Sequence, residues 1–227
     1  MTRPGLAVLA LALAWACGVA RAAAPEVCPG DPRLQPLEGA WGDARVLAAA
    51  ARTQVWPQAI EAVDPLLAGV VIRRGKVMLS LGWHELDPGG HCVRLDGEDL
   101  WLHPVADRTH PIGPYRRVAA AGDNEALAYL TRIIDGCFRA DTGARWCFSR
   151  RAITVDGRPF DGEFVLDVAE MPEYGTTLVT RDATLPLRVL VPTADGFAIY
   201  RDDWVTADGH VPVVPGRDRP WRLLQRE

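Results

Sequence analysis

The chain has 227 residues, 25 Lys+Arg against 29 Asp+Glu, a formal net charge of −4 and five cysteines. That balance argues against nucleic acid and anionic membrane as partners, since both need a strongly basic surface. Lysine occurs once, at Lys76, while arginine is abundant, which is a compositional bias and not the mark of a site.

Met1–Arg3 is a short basic start, followed by the apolar stretch "GLAVLALALAWACGV" and then by "ARA". Small residues at Ala20 and Ala22 fit a secretory signal peptide over 1–22, cleaved after Ala22. The residues "AWA" before Cys17 lack the Leu expected three positions upstream of a lipidated cysteine, so a lipid anchor is not favoured. Loss of Arg3 and Arg21 takes the net charge to −6. No later segment approaches the roughly 18 apolar residues that cross a bilayer. The expectation is a periplasmic or secreted protein without a membrane span.

After the irregular leader "PEVCPGDP", the Ala- and Leu-rich run Asp43–Val55 reads as a helix, restarted by Pro57 as a second short one. The stretch "GWHELDPGGHCV", Gly82–Val93, holds two histidines, two carboxylates and a cysteine. Pro88-Gly89 suits a tight turn that pairs Leu86 with His91 and His84 with Val93. A second turn at Asp96-Gly97 pairs Val93 with Leu100. Strand alternation then puts His91, Val93, Leu100 and Leu102 on one face and Cys92, Arg94, Asp99, Trp101 and His103 on the other. His84 and His91 become diagonal neighbours. Their spacing lacks the i, i+4 arrangement of a helical zinc motif, and a structural zinc site wants four ligands. The stretch therefore reads as a hairpin with a polar tip, no metal and no cofactor. Trp83, His84, His91, Arg94 and Trp101 form the candidate ligand-binding set, because mixed aromatic and charged surfaces recur at binding sites.

Asp123 or Asn124 caps "EALAYLTRII", where Leu127, Leu130 and Ile134 share a helical face, and Gly136 stops it. The remainder is short strands cut by Asp-Gly turns, which points to antiparallel sheet. Cys28, Cys92, Cys137 and Cys147 remain after cleavage, an even number suited to two disulfides in an oxidising compartment. In "CFRADTGARWC" a hairpin centred on Thr142 sets Cys137 opposite Cys147, within reach of a bridge. Cys28 with Cys92 then follows by elimination.

Landmarks recur along the chain. "EGAW" (Glu38–Trp41), "DGEDLW" (Asp96–Trp101) and "PYRRV" (Pro114–Val118) are matched by "DGCF" (Asp135–Phe138), "DGFAIY" (Asp195–Tyr200) and "PWRLL" (Pro220–Leu224). Self-similarity at this spacing suggests two copies of one unit. Each unit opens with Gly-x-aromatic and closes on an arginine-bearing strand. This resembles the lipocalin and calycin pattern, in which a G-x-W on the first strand packs under an arginine from the last. The resemblance implies small β-barrel units in tandem, Trp41 against Arg116 or Arg117, Phe138 against Arg222, and binding instead of chemistry.

The fold class expected is α+β, with two β-rich antiparallel modules (meanders or small barrels), each with an accompanying helix. The modules are assigned to residues 23–118 and 123–227, with the junction at Ala119–Gly122. No nucleophile elbow or phosphate-cradling loop occurs, and Ser80 and Ser149 are the only serines. The functional expectation is a non-catalytic, exported cell-envelope protein that binds a small ligand or an envelope protein. The alternatives are a metal-assisted hydrolase using His84 and His91, and an inhibitor or immunity-type partner of a secreted hydrolase.

Overall fold

The computed structural model describes residues 24–63, 67–80, 86–87, 90–106, 109–164, 175–180, 187–202 and 214–227. The signal-peptide assignment, Trp83 and His84 lie outside them. The fold is β-rich α+β with two antiparallel sheets. The first sheet contains β1 (Gly39–Asp43), β2 (Gly69–Arg73), β3 (Lys76–Ser80), β4 (Leu86–Asp87), β5 (His91–Asp96), β6 (Asp99–Pro104) and β7 (Ile112–Ala120), in the order β4-β3-β2-β1-β7-β6-β5. The second contains β8 (Gly136–Ala140), β9 (Arg145–Phe148), β10 (Ile153–Val155), β11 (Arg158–Pro159), β12 (Gly162–Phe164), β13 (Thr176–Thr180), β14 (Leu187–Thr193), β15 (Gly196–Asp202) and β16 (Arg222–Arg226). Its order is β11-β10-β9-β8-β16-β15-β14-β13-β12.

Both sheets follow one plan. The first strand pairs with the last at the centre, and the two edges are consecutive in the chain. That connectivity forces curling. Asp87 and His91 are four residues apart and can be separated by only about 14 Å. The edges of a flat seven-stranded sheet would stand about 29 Å apart. The same argument holds for Pro159 and Gly162 in the second sheet. Each sheet is therefore a curled meander, consistent with a small barrel unit.

The curling corrects the expected hairpin at Pro88-Gly89. Leu86 pairs with Ser80 on β3, and His91 pairs with Pro104 on β6, so the Leu86–His91 pairing does not form. His84, expected as the diagonal neighbour of His91, lies outside the described residues. The turn after β5 also differs. Asp96 pairs with Asp99 and Val93 with Leu102, because Gly97 (φ +64°) supplies the positive φ at the first position of a two-residue turn. The shift is two residues, so every side chain keeps its expected face. Val93, Leu100 and Leu102 are fully buried.

Helix α1 (Ala44–Thr53) starts where Asp43 accepts from the backbone N–H of Arg45 at 2.8 Å and of Val46 at 3.4 Å. It ends at Gln54 in the left-handed region, and α2 (Trp56–Val63) follows. Helix α3 (Glu125–Leu130) is capped by Asn124, whose side chain accepts from Leu127 at 3.1 Å. It stops earlier than the sequence suggests, yet Leu127, Leu130 and Ile134 are all buried as expected.

Leu34, Trp41, Ile72, Val93, Leu100 and Tyr115 fill the inside of the first sheet. A larger cluster fills the second sheet with Phe138, Phe148, Phe197 and Leu224. It continues through α1, α2 and α3 to Ala40, Val118 and Ala119 on the first sheet. Trp56 and Tyr129 meet edge to face at 5.6 Å within it. The helices thus share their apolar faces with both sheets.

Both disulfides form as expected. Cys137 is the direct cross-strand partner of Cys147, with the hairpin centred on Thr142. Cys28 joins Cys92 beside a two-way backbone pairing of Val27 with Val93, each bond 2.8 Å.

Candidate functional site

Trp41 lines a cleft with both apolar and cationic walls. Its place is fixed from three directions. The indole Nε1–H donates to the Leu37 carbonyl at 3.0 Å. Arg117, its partner across β1 and β7, lies over the ring with the guanidinium carbon 4.6 Å from the centroid. That guanidinium donates through Nη2 to the Pro36 carbonyl at 2.7 Å. Upstream, Gly39 allows β1 and β7 to approach closely. A side chain there would put its Cβ 2.1 Å from the Ala119 carbonyl oxygen, and its φ of +136° disfavours other residues.

The cleft beside Trp41 has a volume of about 840 Å³. Leu37, Leu47 and Leu95 give it apolar walls, and Arg116, Arg117 and Arg132 border it with Glu98. Helix α1 supplies Leu47, which packs onto Gly42, where a Cβ would stand 3.1 Å from its Cδ2. The charges are not balanced. Arg116 is matched by Glu98 at 2.9 Å and by a contact with Asp99. Arg117 and Arg132 have no carboxylate partner among the described residues. Arg132 donates through Nη2 to the Arg117 carbonyl at 2.8 Å, while its buried Nε–H finds no acceptor. Desolvation and then the neighbouring Arg150 guanidinium hold Arg132 below the ordinary arginine range.

The candidate residues from the sequence fall elsewhere. Arg94 and Trp101 face each other across β5 and β6, both half-buried, away from the core of the first sheet. Neither borders the cleft. His91 is half-buried at the start of β5, with Nδ1 lacking a partner. His103 is buried and lies 3.3 Å from Glu26. Among the described residues no three His, Cys, Asp or Glu side chains group closely enough to hold a metal ion. Arg145 is tied to Glu227 at 2.6 Å.

The pairings drawn from the lipocalin-like pattern hold in one half and shift in the other. Trp41 meets Arg117. Phe138 meets Arg226, at 5.2 Å, and not Arg222. The register of β16 explains this. Arg226 lies directly opposite Phe138, whereas Arg222 is four residues earlier, about 13 Å along the strand, and stacks on Trp221 at 4.3 Å. The sequence pattern sets Trp41 against Arg116 or Arg117 as a packing pair. Their role as a cleft wall was not visible there. Arg132 gave one signal only, a lone cation in the apolar tail "LTRII" of the helix.

In comparisons with known proteins, no protein-family model, no curated protein and no solved structure matches this chain. What defines its class is the fold and the cleft: a β-rich α+β chain of two curled antiparallel sheets, each braced by a disulfide, with an apolar and cationic cleft beside the first strand. Two disulfides fit an oxidising extracellular compartment. No helix among the described residues is long and apolar enough to cross a membrane.

Proposed function

We propose that this chain is an exported, non-catalytic binding protein of the cell envelope that holds a small ligand in the cleft beside Trp41. The observation that carries the reading is the cleft itself. At about 840 Å³ it lies within the range of small-molecule sites, with apolar walls and a few converging polar groups. Its walls come from the leader before β1, from β1, β7, α1, the turn after β5 and Arg132 after α3, and the strands among them are fixed by backbone pairing. The likeness to lipocalin-type units belongs to the same proposal. It is supported by the curled meanders and by the two aromatic–arginine pairs joining first and last strands, Trp41–Arg117 and Phe138–Arg226.

The test is native mass spectrometry of disulfide-intact protein incubated with a small-molecule extract of the cell envelope. One ligand per chain should be retained, and Ala48→Trp, which plugs the cleft from its exposed helical side, should release it. Absence of any retained ligand, or retention unaffected by A48W, would refute the reading.

A further inference from the structure

Resting on that reading of the cleft, we infer that its ligand is a small amphiphilic anion, an apolar body carrying one carboxylate or phosphate group. Arg117 and Arg132 set the charge of the head group. Both border the cleft, both are held by bonds to backbone carbonyls instead of carboxylates, and the two are linked, since Arg132 donates to the carbonyl of Arg117. A backbone carbonyl satisfies a donor but leaves the positive charge uncompensated. The third arginine, Arg116, shows the contrast, because Glu98 and Asp99 neutralise it. The lining thus carries three arginines against one already committed carboxylate.

Arg132 adds a second, independent sign. Its Nε–H is buried without an acceptor, and the Arg150 guanidinium adds its repulsion to the cost of burying the charge. Two mutually repelling guanidiniums with an idle donor gain more from an anion than from water, since hydrogen bonds to a charged acceptor are roughly twice as strong as neutral ones. A cationic ligand is disfavoured twice over. The like charges repel it, and the aromatic face that would attract it is covered by Arg117. The apolar part of the ligand follows from the leucines of the lining. Leu37, Leu47 and Leu95 offer carbon surface with no hydrogen-bonding side chain, which a wholly polar anion such as inorganic phosphate would desolvate itself against to no benefit.

Isothermal titration calorimetry of the full disulfide-bonded protein tests this with five probes: octanoate, octyl phosphate, 1-octanol, octyltrimethylammonium and inorganic phosphate. Octanoate or octyl phosphate should bind one per chain, about tenfold or more tighter than octanol. Which of the two binds better tells a carboxylate source from a phosphate one. Arg132→Gln should erase the advantage of the anion and leave octanol affinity unchanged, a split that general unfolding would not produce. A48W should abolish binding of every probe. If octanol or octyltrimethylammonium binds as tightly as octanoate and A48W still blocks it, the cleft is a ligand site but the anionic inference is wrong. Equal binding of inorganic phosphate would remove the apolar requirement. If no probe binds, or A48W changes nothing, both the inference and the cleft reading fail.

Discussion

Removing the Cys28–Cys92 bridge should destabilise this protein more than removing Cys137–Cys147, although both join residues whose Cα atoms are 4.1 Å apart. The difference lies in the unfolded chain. The first bridge spans a sequence separation of 64 residues and the second only 10. In the chain-entropy treatment the larger loop is worth about 4.3 kcal/mol and the smaller about 2.8 kcal/mol. The folded state adds to the gap in the same direction. Cys92 is fully buried, so its truncation also leaves a small void, and the leader it holds carries Leu34 and Leu37 into the first core. Apart from the bridge, the start of that leader is tied by the Val27–Val93 pairing and by the Gly30 N–H to the Gly75 carbonyl at 2.8 Å. The Cys137–Cys147 hairpin, by contrast, keeps its full ladder between β8 and β9 without the sulfurs. The assay is urea unfolding of the Cys28→Ala/Cys92→Ala and Cys137→Ala/Cys147→Ala proteins against the parent. The first pair should lose at least about 1.5 kcal/mol more than the second. Equal losses, or a larger loss from the short hairpin, would refute the loop-entropy argument and with it the view that the leader is an integral wall of the first sheet.

Proteolytic cleavage within 121–123 should leave the two halves co-eluting in native size-exclusion chromatography, because one apolar cluster takes Ala40 and Val118 from one side of the cut and Leu127 and Phe138 from the other. Denaturant alone, without reductant, should then separate them, since each disulfide lies wholly on one side; separate elution under native conditions would contradict the shared core. Glu125 gives a pH dependence of defined sign. Burial raises its carboxyl above the ordinary value, and Arg73 at 3.5 Å offsets only part of that, so the folded chain holds the proton more firmly than the unfolded one. The stability it contributes is present below the ordinary glutamate range and is lost as pH rises through the raised value. Glu125→Gln should therefore exceed the parent in stability at pH 7 and converge with it below about pH 4; thermal melts across that range decide, and a less stable Gln variant at neutral pH would overturn the assignment.

Local chemistry in the sequence determined the elements whose partners lie nearby. Asp43 and Asn124 cap helices because their side chains reach orphan N–H groups within three residues, and the Cys137–Cys147 register follows from a turn counted over 11 residues. Face alternation along β5 and β6 survived even a wrong turn position, since the error was two residues and strands repeat every two. The partner of β4 was not legible. "DPGG" has the composition of a tight turn, yet the sheet curls so that Leu86–Asp87 completes one edge and His91 starts the other. No local pattern distinguishes a hairpin from a closure between edges, because closure depends on every intervening strand. The cleft was illegible for the same reason. Trp41, Arg117 and Arg132 are scattered over more than 90 positions, and only the pairing of β1 with β7 and the packing of the helices between the sheets bring them together. Capping, turn chemistry and strand period act over a few residues and can be read in order along the chain. The cationic cleft exists only where distant segments converge, and its charge follows from which arginines the fold leaves without a carboxylate.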